Sequence, residues 1–583
     1  MKRYQRITAV AAAALMSSPL FAVDYLVTRT DDPNPDSITL PSCQPSGGCS
    51  LRQAVLAANK RPGADRIVLS KNIYELTRTI SGQVNPDGRS GALVVTERLD
   101  VVGASAALTR IRWPSGLTLP HQITPHQHQI WIVQQHTQLN LARITLSGGR
   151  GVSGGCIFLQ RGQLALTDAI VERCETSSCG GALRVDGLSG FTTTVALTNV
   201  TMRGNQAQRG GAVCVEGEST FIGNGAVLEN NTATSEGGAV YGSYGFANSF
   251  RQLALVWRSE GAGTRFSGNS AGRAGGAAWL VGAGNANFFA VNSGVPLLFE
   301  NNLSLGGGGA ISIEHWYAPE PQSPAPRTRL TVENAAFTGN SADRDGGAIA
   351  FDGADALITQ SAFQNNVSQL GNGGAVSSGA SLIAPTIRGT VEIRQSSFNE
   401  NKSQQNGGAI DNQCQINTVR DSSFYANQSV QGQGEVISST GSTFLAHVST
   451  DAHGQTNIGP STLHKSFNTA CGAQPFGIAN SVISGSDNCY GQAGIIQSNG
   501  GNQFGPSTGG CYFLAGLDQY GSSSTFGLSL GSFGGVKQVL GWNADALARP
   551  QVNFGQSVYC SAVDVRGLPR PASACDAGAF EQQ

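Results

Sequence analysis

Short runs of alternating apolar and polar residues recur along most of this chain, and glycine pairs punctuate them. Leu164-Ala165-Leu166, Val195-Ala196-Leu197, Leu330-Thr331-Val332 and Val391-Glu392-Ile393 each place apolar side chains two residues apart. That is the period of a strand with one buried face. Behind several such runs stands Phe-x-x-Asn: Phe299–Asn302, Phe337–Asn340, Phe363–Asn366 and Phe398–Asn401, continued by Phe424–Asn427. Met202–Asn205 and Val171–Cys174 are variants of it. A Gly-Gly pair follows, then a small residue and an apolar one. Its nine copies begin at Gly154, Gly180, Gly210, Gly237, Gly275, Gly308, Gly346, Gly373 and Gly407, at steps of 26, 30, 27, 38, 33, 38, 27 and 34 residues. A recurrence at this period, with insertions of variable length, is the mark of a solenoid.

The unit reads as strand, Phe, turn with Asn, short polar loop, Gly-Gly corner and second strand. No helical periodicity runs through it. One such coil can bury only one side, so coils must stack on their neighbours. The expected fold is all-β: a parallel β-helix with a short N-terminal capping helix. In it Gly180-Gly181, Gly210-Gly211, Gly237-Gly238, Gly346-Gly347 and Gly373-Gly374 let the backbones of successive coils approach. Asn302, Asn340, Asn366 and Asn401 are expected to take left-handed conformations and to bond one another from coil to coil. Phe is expected to stack on Phe inside. At roughly 27 residues per coil, Asp65 to Tyr490 has room for about 16 coils, a rod roughly 75 Å long.

The segment from Cys49 to Asn59 is the one helical stretch, with Leu51, Val55 and Ala58 on one face. A helix across the open end of a solenoid hides its unpaired edge. Residues 1–22 look like a secretory signal: Lys2, Arg3 and Arg6, a short apolar core, then Leu20-Phe21-Ala22. The division expected is a signal at 1–22, cap and first coils at 23–110, repeats at 111–470, and a disulfide-containing capping module at 471–583.

Composition narrows the function. Of 583 residues 77 are glycine and 22 proline, charged residues are 13% and net charge is −1. Regular spacing at that glycine content argues for a β-solenoid over disorder. Nothing here is an electrostatic footprint for nucleic acid. After the signal, no apolar run is long enough to span a membrane. Twelve cysteines fit an exported, oxidising location. Proximity suggests Cys43 with Cys49, Cys174 with Cys179, Cys471 with Cys489 and Cys560 with Cys575. Cys156, Cys214 and Cys414, beside Gly-Gly turns, read as buried thiols.

Three resemblances follow. Cys49-Ser50-Leu51-Arg52-Gln53-Ala54, followed by Ala58-Asn59 and Gly63-Ala64-Asp65, resembles the CSLREA-type N-terminal module of secreted bacterial β-helix proteins, with Gln53 where Glu is usual. The paired Gly-Gly-Ala-Ile and Phe-x-x-Asn repeats from about 150 to 430 look like those of the polymorphic outer-membrane protein family. That resemblance implies surface-exposed right-handed β-helices used in adhesion. Residues 480 to 581, ending in Asp564 to Pro571 and Cys575 to Glu581, are similar to the choice-of-anchor Q module. Arg566, Arg570, Asp576 and Glu581 read as a charged network tying the last coil to its loop.

Candidate chemistry is sparse. His121, His126, His128 and His136 cluster, and the reading is a polar outer face of an early coil. Asp343 and Asp345 could hold calcium, but their loop is not repeated, so they read as an acidic solvated turn. No metal and no cofactor is expected. Two insertions are more promising, because loops on a rigid scaffold carry binding function. One holds Trp316 and Tyr317, the other Tyr241, Tyr244 and Trp257. These five are the candidate ligand-binding residues, unless they fold back on the rod. The expected function is an exported surface or secreted adhesin-like protein that binds a host or matrix glycan or protein, without nucleic acid. The alternatives are a polysaccharide lyase or glycoside hydrolase acting on acidic glycans, and a structural protein of the cell envelope.

Overall fold

The structure describes residues 23–34, 48–79, 87–114, 128–187, 193–243, 253–282, 284–292, 294–315, 327–379, 388–451, 462–466, 474–484, 489–491, 496–505, 511–512, 517–520, 528–532, 537–541, 554–571 and 575–581. The expected signal at 1–22 lies outside them. In the computed structural model the chain is a parallel β-helix. Among the described residues every strand pairing is parallel except Ser529–Gly531 with Val539–Gly541. One coil shows the plan. Ile157–Gln160 joins a 14-stranded sheet, here called the corner ladder; Gln163–Thr167 and Ile170–Glu172 join a 31-stranded sheet; Glu175–Thr176 joins a 10-stranded one. The 31-stranded sheet is two ribbons, a long ladder and a Phe ladder. They merge where Ile416–Tyr425 and Ser442–Asp451 run as single strands. Register is strict: Leu164 stands over Val195, Phe221 and Leu255 in successive coils, and all four are buried. A one-residue slip would turn that apolar column outward.

The glycine corners stack as expected, and each glycine of a pair has its own reason. The first is left-handed in every pair, from φ 59° at Gly210 to 77° at Gly180. The second lies against the next coil. A Cβ on Gly347 would meet the Gly374 carbonyl oxygen at 2.1 Å, and one on Gly374 would meet that of Gly408 at 2.1 Å. The same backbones are hydrogen-bonded, Gly347 N–H donating to Gly373 O at 3.0 Å. The small residue that follows (Ala182, Ala212, Ala348, Ala375) is fully buried.

The asparagines behave differently from the expectation. The left-handed residue is the one before each: Asn301, Gly339, Asn365 and Glu400. Asn302, Asn340, Asn366 and Asn401 turn inward and are buried. Each Nδ2 donates to the next Oδ1 at 2.9 Å. The second Nδ2 proton of Asn340 goes to the Phe299 carbonyl, and its Oδ1 also accepts the Asn302 backbone N–H. All four hydrogen-bonding positions of the amide are filled, which is what makes its burial tolerable. The ladder runs from Asn205 to Asn427. Beside it Phe299, Phe337, Phe363, Phe398 and Phe424 stack with ring centroids 4.6 to 4.8 Å apart.

The N-terminal cap is a helix, Leu51–Ala58, packed on the first strands. Ser50 and Gln53 form a capping box, which Gln completes as Glu would. Asn59 acts as a substitute strand: its Nδ2 donates to Val94 O at 2.7 Å and its Oδ1 accepts Thr96 N–H at 3.0 Å, covering the open edge of the corner ladder. Arg52 is the buried tie. Its guanidinium grips both Asp32 oxygens at 2.7 and 2.9 Å, and it also donates to Gly88 and Gly91 carbonyls.

At the other end, strands continue past residue 471, the expected boundary, as far as Gln519–Tyr520. The backbone ladder persists without the Gly-Gly motif because its hydrogen bonds need no particular side chain. Residues 537–541, 554–571 and 575–581 leave the stack of coils. They fold back along the flank of the Phe ladder: Asn399 Nδ2 donates to Gln538 O, Gln395 Nε2 to Asp564 O, and Ala579 N–H to Ser449 Oγ. The expected charged network is present inside this flap, where Arg570 Nη1 bonds Glu581 at 2.8 Å and Arg566 pairs with Asp564. It meets the rod at Asp421, beside Arg570, and at Gln395, which donates to Asp564 O.

The disulfides correct the expected pairs. Cys156 bonds Cys174 and Cys179 bonds Cys214, so Cys174 and Cys179 are not partners. Cys174 takes the inward Asn position, its N–H bonded to Asn205 Oδ1, while Cys179 joins a separate cluster with Cys214 and Tyr241. Cys560 bonds Cys575 as expected. Cys49, Cys414 and Cys489 are also disulfide-bonded, and no free cysteine occurs among the described residues. Cys43 and Cys471 lie outside them.

Four variants test this scaffold. Gly347→Ala forces a side chain into backbone and is expected to cost about 3 kcal/mol or more. Gly379→Ala, whose Cβ would meet Phe351 O at 3.6 Å, is expected to be nearly neutral; equal thermal midpoints for the two variants would refute the corner reading. Arg52→Ala leaves the buried Asp32 with only the Thr77 and Arg78 backbone N–H groups and no countercharge, and is expected to cost about 3–5 kcal/mol, partly recovered by Arg52→Met with Asp32→Leu. Urea unfolding of the three proteins checks that order.

Candidate ligand-binding cleft

Of the five aromatic residues expected to contact a ligand, Tyr241 and Trp257 are among the described residues. Trp316, Tyr317 and Tyr244 lie outside the described residues. Trp257 is a core residue with no exposed surface. It shares the inward face of Leu253–Ser259 with Leu253 and Leu255, a parity visible in the sequence, and packs 5.1 Å from both Phe221 and Phe266. Gly223 on the adjoining strand makes the room, since its Cβ would lie 2.3 Å from the indole. Tyr241 faces outward from the corner ladder but is covered. Its ring lies 5.1 Å from that of Trp279, and the Arg209 guanidinium sits 4.9 Å above it and donates to Oη. Neither Trp257 nor Tyr241 is an exposed anchor.

Other expected polar groups are also engaged. His128 is buried edge-on to Trp113, and burial lowers its pKa; it is not on an outer face. His121 and His126 lie outside the described residues. Asp345 is a link between coils, its Oδ1 accepting from the Asn372 backbone and amide at 2.8 and 2.9 Å. Asp411, Ser438 and His464 stand on successive rungs of the corner ladder. Ser438 Oγ lies 3.3 Å from His464 Nδ1, and Gln413 donates to Asp411 at 2.7 Å. All three are buried, and burial pushes the Asp411 carboxyl up to about 7.

What the structure assembles instead is a cleft of about 660 Å³ in the first coils. It lies where the corner ladder hands over to the long ladder. Four turns line it: Gly63–Ala64, Thr96–Arg98, Gln135–Gln138 and Arg161–Gln163. They stack because the strands they introduce are in register, Asp65 under Leu99, Leu99 under Leu139 and Leu139 under Leu164. The cleft therefore runs along the rod axis. His136 and Arg161 hold their turns in left-handed conformation, at φ 63° and 53°, and His136 N–H donates to Arg161 O at 3.1 Å. Gln138 and Gln163 are rung neighbours, and Gln138 donates to Asn140 at 3.1 Å. Arg98 Nε is buried and has no hydrogen-bond partner. Glu97 is the one carboxylate among the described lining residues. Of this set only His136 drew attention in the sequence. The others come from four coils at unequal spacings, so no linear motif marks them.

Three stretches match a known repeat. Residues 296–314, 334–352 and 395–413 match the Chlamydia polymorphic membrane protein repeat. Each begins just before the stacked Phe, passes through the ladder Asn and ends beyond the Gly-Gly-Ala-Ile corner, so the repeat is the scaffold and leaves the cleft outside it. None of the curated proteins matches the chain in sequence. Among solved structures it is similar to the catalytic unit of a thermostable GH87 alpha-1,3-glucanase from Streptomyces thermodiastaticus strain HF3-3, at 11% identity and TM-score 0.38 over 77% of this chain and 66% of that one. It is also similar to the A-module of the mannuronan C-5 epimerase AlgE6 from Azotobacter vinelandii, at 11% identity and TM-score 0.26 over 81% of this chain and 94% of that one. At those values neither likeness bears on what this chain does.

The buried carboxyl of Asp411 has a pH consequence. Its folded-state pKa is raised, so its contribution to stability is complete below about pH 4, the unfolded value, and is lost as pH rises through about 7. Asp411→Asn is expected to flatten this decline, so that the variant gains on the parent from pH 4 to 8. Thermal midpoints measured across that range check it, and parallel curves would contradict it.

Proposed function

We propose that this chain is an exported, surface-displayed binding protein of adhesin-like character, whose rod presents a polar cleft to a host or matrix ligand. The cleft carries the reading. It spans turns of four coils stacked along the rod, and its lining residues include two arginines, three glutamines and two threonines. With Glu97 as its one described carboxylate it offers half of the acid pair that glycoside hydrolysis uses, which favours binding over turnover. Three disulfides with both partners described support an oxidising compartment. The likeness of three coils to a polymorphic membrane protein repeat supports display at a cell surface. Trp316, Tyr317 and Tyr244 are proposed as further contacts.

The purified chain is expected to bind cultured cells or immobilised matrix saturably, and protease treatment of intact producing cells is expected to remove it. Shortened polysaccharide, or ultraviolet absorbance from an unsaturated sugar product, would replace this reading with an enzymatic one.

A further inference from the structure

The cleft also restricts the class of its ligand, if the binding reading above holds. We propose that it takes a linear anionic glycan, laid along the rod axis with acid groups against Arg98 and Arg161. Shape is the first ground. Four stacked turns line the cleft, and with rungs about 4.8 Å apart they span about 14 Å. Such a trough suits an extended chain. Charge is the second. Arg98 and Arg161 outnumber Glu97, and guanidinium groups pair with planar acid groups through two parallel hydrogen bonds. The two arginines introduce Leu99 and Leu164, which are separated by the Leu139 rung. That places them about 10 Å apart along the axis, so they address a polymer with repeated acid groups better than one small anion.

The remaining chemistry agrees. Gln138 and Gln163 stand on adjoining rungs and offer amides to sugar hydroxyls. No Trp, Tyr or Phe is among the described lining residues, so recognition of a neutral sugar by ring stacking is not the mode offered. Carboxylate and sulfate esters share the required chemistry.

The test is isothermal titration of the full chain with tetragalacturonate, with dextran sulfate and with neutral dextran. One or both anionic glycans are expected to bind, more weakly as salt rises, and dextran is not; which anion binds identifies the acid group. Arg98→Gln with Arg161→Asn, the latter chosen because Asn tolerates the left-handed turn, is expected to lower affinity on the order of 100-fold. Glu97→Gln is expected to raise it several-fold by removing a like charge, a gain that a damaged fold could not produce. Arg273→Ala, away from the cleft, is expected to change nothing. Anionic binding that survives the double substitution, or dextran binding of equal strength, overturns the proposal. Saturable binding to cells without binding to either anion overturns it while leaving the adhesin reading intact. Failure to bind cells or any glycan overturns both.

Discussion

Everything in this molecule depends on how closely one coil's backbone can lie on the next. At the second glycine of each corner the carbonyl oxygen of the following coil occupies the place of a Cβ, 2.0 to 2.1 Å from where that atom would be. The first glycine makes the turn, in a region of backbone space that few side chains tolerate. Together they let strands stack in register at the hydrogen-bonding distance, and the rest of each coil inherits that alignment.

Register converts sequence repetition into columns. Phenylalanines five or more coils deep become an unbroken stack, and buried asparagines become a chain of amides with every donor and acceptor filled. Neither column would be favourable in one coil alone, because an isolated buried amide costs more than it returns. Asparagine is retained inside this apolar rod because its neighbours above and below are also asparagine. The left-handed turn beside it falls to a different residue.

The same alignment builds surface features from remote parts of the chain. Arg98, His136 and Arg161 share one cleft because the turns that carry them precede strands paired in register. The C-terminal flap is held to the flank by contacts on several coils, among them Gln395, Asp421 and Ser449. Arg52 does comparable work at the N-terminus, where one guanidinium joins Asp32 to the loop at Gly88 and Gly91. A rigid solenoid thus acts as a ruler on which separate residues are brought to fixed spacing.

The repeating architecture was legible in the sequence because its causes are local. A left-handed corner demands glycine, a half-buried strand demands alternation, and both recur at a countable period. The capping helix was legible for the same reason, and even the inward position of Trp257 follows from its parity with Leu253 and Leu255. The cleft, the partners of Cys174 and Cys179, and the return of residues 537–541, 554–571 and 575–581 to the flank were decided only by the tertiary structure. These depend on which insertions lengthen which coils and on what then lies above what. Unequal steps between corners hide that vertical neighbourhood from linear spacing, and stacking at the backbone restores it.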